Sequence, residues 1–242
     1  MAGCGRAGAE ELMSVRISCI IPAWNAERYI AAAIDSVRNQ TVPVDELIVV
    51  DDGSTDGTRE CVESIGGVRY LYQANAGHGA ARNLGVEASS GEFVAFLDAD
   101  DLWDHDKTKR QFARFEARPD LDVSCTHIEN FWSEHLEVTE EMKARTVVGR
   151  PIPGWSFGSM MARRTVFERT GLFDSKLKHG PDTDWIVRAM DAGVVMEMLS
   201  DVLVRRRIHG ENRSVIKATS SRAEYLRIVK ATLDRRREGQ GK

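Results

Sequence analysis

The stretch Phe93-Val94-Ala95-Phe96-Leu97-Asp98-Ala99-Asp100-Asp101 decides the reading of this chain, because a continuous apolar run passes directly into a patch of carboxylates. A strand apolar at consecutive positions suits a sheet covered on both faces, and open α/β sheets bind ligands beyond the carboxyl ends of such strands. Carboxylates gathered there call for a cation. Magnesium or manganese collects oxygen ligands while keeping room for substrate phosphates, so a metal-bound diphosphate accounts for Asp98, Asp100 and Asp101. The competing account is an acidic turn that caps a helix after Trp103.

Upstream of this stretch the chain alternates β-branched apolar runs with segments of helical period, the pattern of βαβ units and a largely parallel sheet. Strands are expected over residues 15–21, 46–50, 68–72 and 92–97, with helices over 27–39, 56–65 and 78–89 between them. Each strand leads into polar residues. Pro22, Ala23, Trp24 and Asn25 follow the first, Asp51, Asp52, Gly53 and Ser54 the second, and Asn75, Ala76 and Gly77 the third. Right-handed crossovers place all these ends on one edge of the sheet, so the loops converge on one crevice.

Downstream the periodicity is less regular. The pattern predicts a helix over 104–117, a strand over 121–131, a polar stretch over 133–150, a turn at Pro151, Pro153 and Gly154, and a short strand after Ser156. A helix over 182–192 should stop at Gly193, and a strand over 202–208 should follow. Residues 1–14 read as a flexible leader, 15–218 as the catalytic domain and 219–242 as a basic amphipathic helix and tail, with apolar positions at Tyr225, Ile228, Val229 and Leu233. That helix could pack on the body or touch an anionic membrane.

The bulk numbers narrow the function classes. At 242 residues and 42% hydrophobic, the chain can bury a sizeable core. A net charge of -4 provides no field to recruit nucleic acid, so phosphate binding must be local. No stretch approaches the apolar length that spans a bilayer and the first residues lack a secretion signal, so a cytoplasmic location is expected. Cys4, Cys19, Cys61 and Cys125 form no CxxC pair, which argues against zinc and disulfides.

Individual residues suggest a division of labour. Asp56 or Thr55 can cap the helix after the second strand, which leaves Asp52 to accept a hydrogen bond from a uracil-like base or a ribose. Trp24 either stacks on that base or packs in the core. Small residues followed by Arg82 and Asn83 at a helix start suit a diphosphate, although Arg82 could equally form a surface ion pair. Asp182 shares a helical face with Trp185, Ile186 and Ala189 and should point inward, as a general base or an N-cap. Asp184, four residues before Arg188, reads as a solvent-facing ion pair. His209 could complete an oxygen-rich metal shell, and some of Arg205, Arg206 and Arg207 should face the crevice.

Taken in order, this set resembles the family-two glycosyltransferases. The resemblance implies an α/β glycosyltransferase-A (Rossmann-like) three-layer fold with a mostly parallel central sheet, and an inverting, metal-dependent transfer from a nucleotide-diphosphate sugar, a UDP-sugar favoured, to an unspecified acceptor hydroxyl. Residues 20–25 look like the base-contacting loop, 49–56 the acidic corner and 75–85 the phosphate-side helix start. Within Asp98-Ala99-Asp100, Asp100 would hold manganese or magnesium and Asp98 would contact ribose or donor sugar, with Asp101 assisting. Asp182 corresponds to the catalytic aspartate, with Asp184 as the second choice. His209, near Asn212 and Arg207, resembles a C-terminal histidine of the metal and diphosphate site. Trp24 stands where the family often has Tyr or Phe, and Pro181 where it often has Glu. A sugar-phosphate nucleotidyltransferase would want a Gly-rich basic loop after the first strand, which is missing. A non-catalytic nucleotide-sugar sensor is the alternative from another class.

Overall fold

A computed structural model describes residues 16–177, 180–210, 212 and 221–240; the leader expected over 1–14 lies outside them. Strands β1 (Ile17–Ala23), β2 (Glu46–Asp51), β3 (Arg69–Tyr72) and β4 (Phe93–Phe96) pair in parallel in the order β3-β2-β1-β4. Helices α1 (Ile30–Arg38), α2 (Thr58–Ile65) and α3 (His78–Ala88) connect them. β1 and β4 are buried along their whole length. Successive residues serve opposite faces, as strand geometry requires. Cys19, Ile21, Val49 and Ala95 pack with Ile30, Ile34 and Val62, whereas Ile20, Ile48, Val94 and Phe96 pack with Ala81, Val86 and Trp185. The result is three layers. Gly85 lets α3 sit directly on β1, since a Cβ there would collide with the Ile20 side chain.

The second half extends the same sheet in mixed directions. β6 (Val123–Trp132) and β9 (Met196–Ile208) run parallel, β8 (Met161–Arg163) lies antiparallel between β4 and β6, and β5 (Leu102–Trp103) closes the edge beside β9. β7 (Pro151–Pro153) pairs with β6. The order is β3-β2-β1-β4-β8-β6-β9-β5, mixed and mostly parallel. Helices α4 (Lys107–Ala117), α5 (Glu140–Arg145), α6 (Thr165–Thr170), α7 (Pro181–Asp191) and α8 (Ser221–Gln240) complete the described elements.

Several expectations are corrected. The helix expected from 104 begins at Lys107, and β5 separates it from Asp98 to Asp101, so the acidic turn is not a helix cap. β9 starts at Met196, earlier than its apolar core indicated. The strand expected after Ser156 is preceded by a 3-10 turn over Phe157–Ser159. The polar stretch 133–150 contains α5, whose start is capped by the Thr139 hydroxyl accepting from Met142 N at 3.2 Å. In α8 the apolar residues do not share one face: Ile228 is buried while Val229 and Leu233 are exposed. The side chain of Tyr225 lies outside the described residues.

Candidate active site

The polar loops at the carboxyl ends of β1, β2 and β3 are stitched together by side chains from one another. Asn25, held at φ 50°, donates its N–H to Ser54 Oγ at 2.9 Å, and its Oδ1 accepts from Thr55 N at 2.8 Å. Asp51 is buried and accepts from Ser54 N at 2.8 Å and from the Tyr70 hydroxyl at 2.6 Å. Asp52, also buried, accepts from Gln73 Nε2 at 2.7 Å, Ala76 N at 2.8 Å and Gly77 N at 2.9 Å. The Asp52 carboxylate, expected to meet a base or ribose, ties the second loop to the third. Gly53, at φ 75°, permits the approach, because a Cβ would lie 2.7 Å from Asn75 N. Pro22 and Ala23 end β1 in buried positions, Asn75 is exposed, and Trp24 is 49% exposed, so its indole is not core packing.

Beyond β4, Arg82 organises the carboxylates. Its guanidinium is buried, donates through Nη2 to Asp98 Oδ1 at 2.7 Å and stands with Nη1 3.7 Å from Asp182 Oδ1. It also lies over the Phe157 ring at 4.9 Å. The surface ion pair considered for Arg82 is thus a buried junction instead. Among the described residues its Nε and Nη1 have no hydrogen-bond partner. Burial raises the Asp98 carboxyl, but the adjacent Arg82 outweighs it and holds Asp98 below its ordinary value. Asp182 goes the other way: burial pushes it above the usual carboxylate range despite Arg82, and the Asp98 charge adds to the rise. Its Oδ2 accepts from Phe157 N at 3.3 Å.

Asp184 departs from its expected place. It is the more buried of the two helix-start carboxylates and accepts from Arg188 Nε at 2.8 Å, so the pair predicted to face solvent is inside. Arg188 reaches on to Thr170 O and Leu172 O, which makes the pair a bracket for α7. Asp182 remains half-buried and lines the cavity.

On the other flank, Asp100 Oδ2 meets His209 Nε2 at 2.9 Å and Asn212 Nδ2 at 3.3 Å. Asn212 Oδ1 also accepts from His209 N, and the imidazole lies against the Tyr29 ring with centroids 5.0 Å apart. Asp101 is buried and accepts from Arg207 N at 2.9 Å; burial, then the Asp100 and Asp98 charges, push it well above the ordinary range. Arg207 Nε donates to Asp100 O at 3.0 Å, and its guanidinium stacks over Tyr29 and Phe131. Ala99 is buried in the core.

Asp98, Asp101 and Asp182 line one cavity of about 230 Å3, together with Ile128, Ser156, Gly158, Val204 and Arg206. The opening apolar run and the carboxylates are legible in the sequence; which of the three arginines lines this cavity is not, and it is Arg206 rather than Arg207, the one named there. Phe157, Ser156 and Gly158 are not legible either, because they sit on an irregular segment with neither period. The signal available there was Gly154, where a Cβ would collide with Thr126 O, so the segment must press against β6.

A family profile described as Glycosyl transferase family 2 matches residues 18–172. Curated relatives include an uncharacterized glycosyltransferase of Rickettsia bellii, 28% identical over 92% of this chain and 33% of its own length. Chondroitin synthase of Escherichia coli is 26% identical over 90% of this chain and 33% of its own length. The chain therefore spans about a third of the length of these relatives. Among solved structures, Staphylococcus aureus TarS in complex with UDP-GlcNAc superposes with a TM-score of 0.69 at 22% identity, over 90% of this chain and 65% of that one. Fold and family profile agree: this chain belongs to glycosyl transferase family 2.

Proposed function

We propose that the chain transfers a glycosyl group, with inversion, from a nucleotide-diphosphate sugar to an acceptor hydroxyl. The observation that carries this reading is the buried Arg82 joining Asp98 and Asp182 across one cavity. Asp98 is kept ionised beside its arginine, suited to accept hydrogen bonds from sugar or ribose hydroxyls. Asp182 is lifted in pKa and faces the cavity, suited to take the proton of an acceptor oxygen as that oxygen attacks the anomeric carbon. Arg82, two of whose nitrogens lack a hydrogen bond among the described residues, has donor capacity left for an anionic leaving group. Trp24 offers an exposed flat face at the β1 edge for a base, and the binding of UDP and UDP-GlcNAc by the structural neighbour TarS supports a UDP-sugar donor.

A divalent cation fits the Asp100 corner. One carboxylate oxygen and one imidazole nitrogen converge at 2.9 Å, with the Asn212 amide on the same oxygen. Among the described residues no group of three or more His, Cys, Asp or Glu could hold a metal. Two protein ligands suit magnesium or manganese, which keep positions for water and phosphate. Such an ion, held by Asp100 and His209, would supply charge compensation on the departing diphosphate.

The test is a panel of nucleotide sugars, with and without manganese, read by thermal shift and nucleotide release. Metal-enhanced stabilisation by a UDP-sugar, with slow hydrolysis or transfer, is expected. Binding with neither transfer nor hydrolysis to any acceptor would favour a nucleotide-sugar sensor.

A further inference from the structure

Helix α8 packs against α7 and buries Ile228 and Thr232, yet Leu226, Val229 and Leu233 are 64%, 55% and 49% exposed. At 3.6 residues per turn these three form a stripe directed roughly 110° away from the buried pair. Two exposed cations border it: Arg237 and Lys230 project roughly 50° and 70° from its centre. The helix therefore has one face anchored to the body and a second apolar face with a cationic margin.

Charge along the chain is distributed in the same sense. Residues 209–242, beyond β9, carry 9 Lys and Arg against 4 Asp and Glu, leaving 24 against 33 for residues 1–208. A chain of net charge -4 thus joins a strongly acidic body to a basic C-terminal segment. An anionic bilayer surface satisfies both features of α8, taking aliphatic side chains at the acyl boundary and Lys or Arg at the headgroups, while repelling the acidic body. Among the described residues no helix is long and apolar enough to cross a membrane, so the geometry is that of a helix lying on one.

We propose that α8 docks this chain in the plane of an anionic membrane, with Leu226, Val229 and Leu233 immersed and Lys230 and Arg237 on the phosphates. The whole chain is tested by co-sedimentation with vesicles of phosphatidylcholine alone and with vesicles in which a quarter of the lipid is phosphatidylglycerol. Binding to the anionic vesicles, weakened by salt and absent on the neutral ones, is expected. The triple variant Leu226→Ser, Val229→Ser, Leu233→Ser changes exposed side chains only; it should keep the wild-type circular dichroism and melting temperature and lose affinity by about tenfold or more. Lys230→Glu with Arg237→Glu should lose a similar factor and its salt dependence. No binding to either vesicle, or equal binding by the triple variant, overturns the proposal. Concentration-dependent dimerisation of the wild type that the triple variant abolishes, without vesicle binding, overturns it and assigns the stripe to a second copy.

Discussion

Arg82 holds Asp182 at 3.7 Å while donating to Asp98 at 2.7 Å, so one buried guanidinium lowers both carboxylates but outweighs burial only at Asp98. The nearer one is drawn below its ordinary range and the farther one is left above it. Environments that separate two carboxyl pKa values assign one group to stay ionised and the other to exchange a proton. Phe157 completes the junction, with its ring beneath Arg82 and its N–H on Asp182.

Asp182→Asn keeps size and hydrogen-bonding shape while removing the base. We expect transfer to fall by about 10² to 10⁴, with donor binding by calorimetry unchanged. The wild-type rate should rise with pH through the Asp182 pKa, because only the deprotonated form accepts a proton, and this limb should lie above the ordinary carboxylate value of about 4. Arg82 lowers that pKa, so Arg82→Gln should move the limb to higher pH. A limb that stays in place would separate Arg82 from the base.

Asp184 provides the control. Its bond to Arg188 lies inside the protein and fastens α7 to the carbonyls of Thr170 and Leu172. Asp184→Ala should cost about 1 to 3 kcal/mol in urea unfolding and leave the position of the acid limb unchanged. A shifted limb with unaltered stability would exchange the roles given to Asp182 and Asp184.

That exchange shows what the sequence could and could not convey. The helix start at Pro181, the Asp184 to Arg188 spacing and the face shared by Asp182 and Trp185 were all legible from a period of 3.6 residues. Which carboxylate is deeper depends on Phe157 and on the turn at Thr170 to Leu172, both distant in the chain. β1, β2 and β4 were legible because a strand covered on both faces is apolar nearly throughout, whereas β3 at the sheet edge exposes Arg69 and Tyr72. The cavity wall at Ser156 and Gly158 was not, because a 3-10 turn pressed on β6 carries no repeating pattern. Asp52 was surplus to helix capping, as its sequence position implied, but its partners are the backbone N–H groups of the next loop.

At the Asp100 corner the roles can be separated by metal dependence. Asp100→Ala and His209→Ala should abolish the manganese-dependent part of UDP-sugar binding, leaving affinities equal to those of the wild type in chelator. Asn212→Ala, which removes a partner of both residues, should weaken that part by about tenfold. Calorimetry with and without manganese reads all three. Variants that retain full metal enhancement would move the ion to other ligands.

Lys107 makes a prediction about stability alone. It is fully buried, donates to Gln111 Oε1 at 2.7 Å and lies over the Trp103 ring at 4.2 Å, with Cys19 and Cys125 nearby. Burial pulls its ammonium down to about 7. In the unfolded chain it titrates near 10.4, so between those values the unfolded state binds more protons and stability rises with pH. Below about 7 both states are charged and the fold carries the full cost of the buried ammonium, on the order of several kcal/mol. Lys107→Met fills the space without the charge. It leaves Gln111 Oε1 one partner short, which costs about 1 to 3 kcal/mol at every pH and so does not alter the slope. Unfolding free energies across this range should therefore climb more steeply for the wild type than for Lys107→Met. Parallel curves would mean that Lys107 keeps its charge inside the fold.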